Sequence, residues 1–266
     1  MAALIVIPAR YASQRYPGKP LVPLRGSTGA VKTLIRRSWD AAQAVGGADK
    51  VVVATDDDRI RAEAEGFGAE VVMTSETARN GTERVAEALD ALGGGYDIVV
   101  NLQGDAPLTP PWFVEALIDE LSAHPVAEVA TPVLRCDGRA LRGFREDRAA
   151  GRVGGTTAVF GAERAGLYFS KEVIPYTGRD YPDDDPTPVW HHVGVYAYRP
   201  SALAAYPLWP PGPLEQLEGL EQLRFLERGV HLTCVEVAAR GRPFWELNNP
   251  EDVPRIEAML EAAGIA

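Results

Sequence analysis

An alternation limits what this chain can fold into. Short β-branched runs, ALIVI, KVVVAT, AEVVM and YDIVVNLQ, take turns with the helical periodicity of DDDRIRAEAEGFG and GTERVAEALDALGGG, each ending at glycine. Parallel neighbours need a crossover that covers the sheet, so such alternation builds a mostly parallel sheet buried by helices. The expected class is therefore α/β with a mostly parallel central sheet. Ligands of such sheets sit beyond the carboxyl ends of the strands. PARYAS, ATDDD and LQGDAP each follow a strand directly and are expected to converge on one edge of the sheet.

The second half is less regular. GTTAVFGAERAGLYFSKEVIPY reads as two strands around a turn, TGRDYPDDDPTPVW as a Pro/Asp-rich loop, and HHVGVYAYRP as a strand. PGPLEQLEGLEQLRFLERG reads as one helix closed by Gly229, and HLTCVEVA as a further strand. NNPEDVPRIEAMLEAAG predicts a last helix with Asn249 as N-cap and Pro250 at the first helical position. No repeat and no long linker is visible, so residues 1–266 are read as a single domain.

Charge and patterning exclude several function classes. A formal net charge of -10 argues against broad nucleic-acid or anionic-membrane binding, which needs a dominant basic surface. The longest apolar runs fall far short of the roughly 20 residues that span a bilayer. The N-terminus lacks a signal-peptide pattern, so a cytoplasmic protein is expected. Cys136 and Cys234 lack metal or redox spacing and read as reduced thiols. Against this acidic background, PARYASQRYPGKPL concentrates Arg10, Arg15 and Lys19 just after the first strand. A loop with cations and free backbone N–H groups can cradle a polyphosphate, although a solvated basic turn has the same composition.

The stretch PARYASQRYPGKPL resembles the N-terminal signature of the 3-deoxy-manno-octulosonate (Kdo) cytidylyltransferase family. The resemblance continues in order through VVVATDD, NGTERVAEAL, VVNLQGDAP, LYFSKEVIPY, HHVGVYAYR, LEQLEGLEQLRFLERG and NNPEDVPRIE, covering nearly the whole chain. It implies a three-layer Rossmann-like nucleotidyltransferase fold, with residues 1–125 mainly binding CTP and 126–266 mainly serving the acceptor and dimerisation. It also implies transfer of CMP from CTP to an anionic acceptor with release of pyrophosphate, dependence on Mg2+, and a homodimer.

Carried over residue by residue, the resemblance makes Arg10, Arg15, Lys19 and Asp105 the catalytic group. Pro8, Ala9, Arg10, Ser13, Lys19, Asn80, Gly81, Thr82 and Gln103 are the expected nucleotide contacts, with the NGTER turn reading cytosine. His192, Tyr196, Glu221 and Gln222 match acceptor positions, and Asp105 and Asn248 match the metal positions. Each residue also has a plain structural reading: Gly81 and Thr82 as an ordinary helix start, His192 as a satisfied strand histidine, Tyr196 as core, and Glu221 and Gln222 as helix surface.

The departures lie where metal and acceptor meet. The family's QGDEP is QGDAP here, placing Ala106 where a glutamate is usual, and its VDTPED aspartate is Asn248 in LNNPED. A family lysine aligns near Thr157, and a basic residue before the family histidine is His191. Glu246 could replace the missing carboxylate, while a surface strand position accounts for it equally simply. Kdo or a Kdo-like sugar acid is the leading acceptor, and a small phosphonate such as phosphonoformate is an alternative. Arginine replaces lysine at all but Lys19, Lys32, Lys50 and Lys171, suggesting a GC-rich coding sequence in keeping with that alternative. A third reading is a catalytically silent nucleotide-binding protein.

Overall fold

The structure, a computed structural model, describes residues 1–12, 15–153, 155–242 and 244–266. Of the expected contacts, Ser13 lies outside the described residues. The N-terminal half comprises β1 (Ala3–Ala9), β2 (Pro23–Arg25), β3 (Val31–Thr33), α1 (Leu34–Gln43), β4 (Lys50–Thr55), α2 (Asp58–Gly66), β5 (Glu70–Met73), α3 (Gly81–Ala91), β6 (Ile98–Leu102) and α4 (Pro111–Ala123). There follow β7 (Val129–Asp137), α5 (Gly138–Ala149), β8 (Thr156–Phe160), β9 (Gly166–Ser170), β10 (Pro186–His192), β11 (Val195–Tyr198) and α6 (Pro200–Ala205). The chain then forms α7 (Pro213–Glu218), α8 (Leu223–Glu227), β12 (Leu232–Val237) and α9 (Asp252–Ala262).

One sheet runs in the order β5-β4-β1-β6-β11-β7-β10-β8-β9, with β12 pairing on β7. The expected parallel core is β5, β4, β1 and β6, where each pairing is parallel. The C-terminal half extends it antiparallel through β11, β7, β10, β8 and β9, with β12 joining β7 in parallel. β1 shows why the sheet has three layers. All seven of its residues are buried. Ala3, Ile5 and Ile7 pack with Ile35 of α1 and Phe113 and Leu117 of α4, whereas Leu4 and Val6 face Val85 and Leu89 of α3. Successive strand side chains point to opposite faces, so a strand covered by helices on both sides must be apolar throughout.

Four expectations change. The last five residues of TGRDYPDDDPTPVW, Pro186–Trp190, are not loop but the start of β10, which pairs with β7 and β8. PGPLEQLEGLEQLRFLERG is not one helix: α7 stops at Gly219, whose left-handed backbone (φ 62) lets its N–H reach Glu215 O at 2.7 Å. Glu221 and Gln222 therefore lie in a break between helices. HHVGVYAYRP divides at Gly194 into β10, paired with β7 and β8, and β11, paired with β6 and β7. The last helix starts at Asp252, beyond Asn249 and Pro250; Asp252 Oδ2 instead accepts from the backbone N–H of Asn248 (2.9 Å) and Asn249 (2.7 Å). The same carboxylate receives the Trp245 indole N–H through Oδ1, fixing the segment that carries Asn248.

Candidate active site

The carboxyl ends of β1 and β6 release their chains side by side. A side chain at Gly104 would put its Cβ 2.7 Å from Pro8 O, so the loop after β6 can lie against the loop after β1 only without one. Arg10, Arg15, Lys19 and Asp105 are thereby brought to one cavity of about 670 Å3, shared with Pro8, Ala9, Asn80, Gly81 and Gln103. Lys19 Nζ donates to Asp105 Oδ2 at 2.7 Å. The third strand-end stretch serves differently. Asp57 caps α2 by accepting from Arg59 N at 2.9 Å, and Asp56 pairs with buried Arg84, which lines the cavity.

α3 delivers its N-terminus to the same cavity. Asn80 Oδ1 accepts from Glu83 N at 2.9 Å, leaving other first-turn N–H groups of the helix to be satisfied. Thr82 N donates to Glu221 Oε2 at 2.9 Å, and Gln103 Nε2 donates to Glu221 Oε1 at 2.8 Å. A Cβ on Gly81 would sit 3.0 Å from Gln103 Nε2, so the glycine permits this close approach. Burial raises the Glu221 carboxyl, opposed by the bonds from Thr82 and Gln103. Expected on the acceptor side, Glu221 stands in the first cavity and braces the Asn80–Thr82 turn against Gln103.

A second cavity, of about 570 Å3, shares Arg15, Gln103, Asp105 and Tyr196 with the first. His192, Lys171, Gly194, Glu246 and Asn248 also line it. Tyr196 OH donates to Gln222 Oε1 at 3.0 Å; Gln222 lines the first cavity, and its Nε2 is buried with no hydrogen-bond partner among the described residues. Arg15 donates to Asn248 Oδ1 at 2.9 Å. Burial and the neighbouring Asp105 carboxylate push the Glu246 carboxyl up to about 7, against the pull of Lys19. Asp105, Asn248 and Glu246 are thus brought to one neighbourhood, and Glu246 lines a cavity instead of lying on an open surface.

His192 is held neutral. Its Nε2 lies 3.0 Å from Thr131 Oγ1, whose single proton is directed to Val195 O (2.8 Å) or Val193 O (3.2 Å). The hydroxyl therefore accepts from Nε2–H, and Nδ1 keeps the lone pair. Burial, reinforced by His191, lowers the His192 imidazole to about 3. As pH falls, the unfolded chain takes up this proton near pH ~6.5, while the folded chain resists. Stability from this group is complete above that pH and is lost as pH drops toward the folded value. At pH 5 the expected loss relative to pH 7 is about 2 kcal/mol. Urea unfolding at the two pH values checks it: His192→Gln should reduce the dependence by about 2 kcal/mol, leaving the part due to His191, which burial lowers to about 4, and an unchanged slope in that variant would contradict the assignment.

Sequence reasoning missed two features. Lys171 lines the second cavity, and its ammonium has no hydrogen-bond or ion-pair partner among the described residues. The signal for it was its place in FSKEV, one of four lysines in the chain. The other is a buried network behind the first cavity. Arg224 binds Glu215 through Nε (2.6 Å) and one terminal nitrogen (2.6 Å), and Glu83 through the other (2.9 Å). No local spacing joins Glu83 to Arg224.

Comparisons with known proteins show the family and the fold. A family model described as cytidylyltransferase matches residues 4–232. The 3-deoxy-manno-octulosonate cytidylyltransferase of Maricaulis maris is 44% identical over 264 residues, covering 99% of each chain. The 8-amino-3,8-dideoxy-manno-octulosonate cytidylyltransferase of Shewanella piezotolerans is 42% identical over 263 residues, covering 98% of this chain and 99% of the other. A solved CMP:2-keto-3-deoxy-manno-octonic acid synthetase complexed with CTP superposes with a TM-score of 0.82 at 33% identity, covering 99% of this chain and 100% of that one.

Proposed function

The chain belongs to the cytidylyltransferase family, and from that membership we propose that it transfers CMP from CTP to Kdo or a Kdo-like sugar acid, releasing pyrophosphate. The observation that carries this reading is the pair of cavities meeting at Arg15, Gln103, Asp105 and Tyr196. One has room for a nucleotide among Arg10, Lys19 and the Asn80–Thr82 turn, and the other for a small anion beside Lys171.

In the reaction an acceptor hydroxyl oxygen forms a bond to the α-phosphorus of CTP as the bond to the bridging oxygen of pyrophosphate breaks. The hydroxyl proton passes to solvent, and the leaving group keeps the electron pair. Both reactants are anions, and two unit charges ~4 Å apart repel by about 4 kcal/mol at an effective dielectric near 20. Catalysis therefore rests on positioning and on cations. Arg10, Arg15 and Lys19 serve the triphosphate, Lys171 the acceptor's carboxylate, and Gln222 Nε2 and His192 Nδ1 its hydroxyl groups. The Asn80–Thr82 turn reads the cytosine edge, with Glu221 holding Thr82 and Gln103 in place.

Mg2+ completes this reading. The donor set near Asp105 is oxygen, from carboxylates and an amide, and no cluster of three or more His, Cys, Asp or Glu suited to a metal occurs among the described residues. That suits an ion that keeps several waters and binds through one or two carboxylates plus phosphates. Asp105 would hold it, and when bound it neutralises charge developing on the phosphates.

The reading includes a homodimer, for which Leu208 and Leu217, both strongly exposed, offer apolar surface. It also includes a cytoplasmic site of action; no helix among the described residues is long and apolar enough to cross a membrane. The relatives named above favour a sugar acid over phosphonoformate. Pyrophosphate release tests this: turnover is expected with Kdo or 8-amino-Kdo, and turnover with phosphonoformate alone would move the assignment to the phosphonate.

A further inference from the structure

We infer that Glu246, and not Asn248, supplies the second oxygen ligand of the divalent cation that Asp105 holds, while Asn248 positions Arg15. The inference rests on the nucleotidyl-transfer reading above and concerns side chains particular to this sequence. Leu247 N donates to Asp105 O at 2.9 Å, so the 246–248 segment runs directly beside the loop after β6. Leu247 is fully buried in the cluster of Leu24, Leu34 and Leu108, whereas Glu246 and Asn248, on either side of it, both line the second cavity. One backbone bond thus sets two polar side chains next to Asp105.

Their commitments differ. Asn248 Oδ1 accepts from Arg15 at 2.9 Å, its backbone N–H is taken by Asp252, and its side-chain amide hydrogen-bonds the Glu246 carboxylate. The amide is neutral and its oxygen is already engaged in orienting a guanidinium. Glu246 brings a formal charge to the Asp105 neighbourhood, where the two carboxylates repel. Lys19 bonds Oδ2 of Asp105, and among the described residues no side chain bonds Oδ1. A cation of charge two placed between two carboxylates removes their repulsion, which a neutral amide cannot do. Gly194 contributes by absence: a Cβ there would lie 3.2 Å from Glu246 Oε1, so the glycine leaves that carboxylate its position.

Mn2+ serves as the probe, with free Mn2+ measured by electron paramagnetic resonance on the full chain in the presence of CTP and without acceptor. Glu246→Gln is expected to weaken Mn2+ binding at least about tenfold, since even outer-shell partners act on that scale, and Glu246→Asp to fall between it and wild type. Asn248→Ala is expected to weaken Mn2+ binding less than Glu246→Gln does, because it removes a hydrogen-bond partner of the Glu246 carboxylate and no ligand, while lowering CTP affinity measured calorimetrically in EDTA through loss of Arg15's partner. CTP binding by Glu246→Gln in EDTA at wild-type strength shows that the variant is folded. Wild-type Mn2+ affinity in Glu246→Gln, or loss of Mn2+ binding confined to Asn248→Ala, would overturn the inference while leaving the nucleotidyl-transfer reading intact. A wild-type chain that fails to bind CTP at all would overturn both.

Discussion

Asp105→Asn should lower kcat by about 10²–10³-fold, the scale on which one preorganised electrostatic contact to developing charge counts. The substitution keeps the shape of the side chain. It also leaves the backbone bond from Leu247 N to Asp105 O untouched. What it removes is the carboxylate charge beside Lys19 at the junction of the two cavities. That ion pair is partly solvated, with the Asp105 side chain 25% exposed, and such pairs contribute about 0–1 kcal/mol to stability. The melting temperature should therefore move little while turnover collapses. Steady-state kinetics with saturating CTP, together with a thermal melt, separates the two effects. Near-normal kcat in the variant would place the metal and the phosphate chemistry elsewhere.

Arg224→Met should cost about 3–5 kcal/mol of folding stability, the range for removing one partner of a buried ion pair. Arg224 is 1% exposed and is gripped by Glu215 and Glu83, with its guanidinium carbon 4.0 Å from the centre of the Tyr206 ring. Burial works against the Glu83 carboxylate, but bonds from Arg79 and Arg224 outweigh it and hold the carboxyl below its usual value. Methionine fills similar space yet leaves the buried Glu215 carboxylate without its cation and Glu83 with Arg79 alone. The damage should reach the nucleotide, since Glu83 is the residue whose N–H is capped by Asn80, and α3 carries the turn that faces the first cavity. Urea unfolding measures the loss. Adding Glu83→Gln and Glu215→Gln to Arg224→Met should recover part of it, because neutral amides cost less to bury. A loss below about 1 kcal/mol in the single variant would mean that the network is effectively solvated.

That Arg10, Arg15, Lys19 and Asp105 meet at one cavity was legible in the sequence because the parts are local. A strand that ends in PAR and an aspartate two residues after Gln103 occupy fixed offsets from strand ends, and the parallel core does the rest. The break at Gly219 was not legible. LEQLEGLEQL keeps helical periodicity on both sides of the glycine, and tertiary bonds from Tyr168 OH, Ser170 Oγ and Lys171 N to the Glu218 carboxylate help to end the helix at Gly219. That break also took Glu221 off the helix surface and set it under the Thr82 turn. The split of HHVGVYAYRP at Gly194 was hidden for a similar reason, since both pieces alternate and the choice of neighbouring strands depends on the whole sheet. Arg15 and Asn248 stand 233 residues apart, and no spacing rule could have paired them.

The most direct measurement is pyrophosphate release by the wild-type chain with Mg2+ and Kdo or 8-amino-Kdo, run in parallel with CTP, ATP and GTP, with the phosphodiester product identified by phosphorus NMR. The account predicts release with CTP, a CMP-linked sugar acid as product, and little turnover of either purine nucleotide, since the turn at Asn80–Thr82 is assigned to a pyrimidine edge. Equal turnover of all three nucleotides, or no pyrophosphate from CTP with either sugar acid, would contradict it.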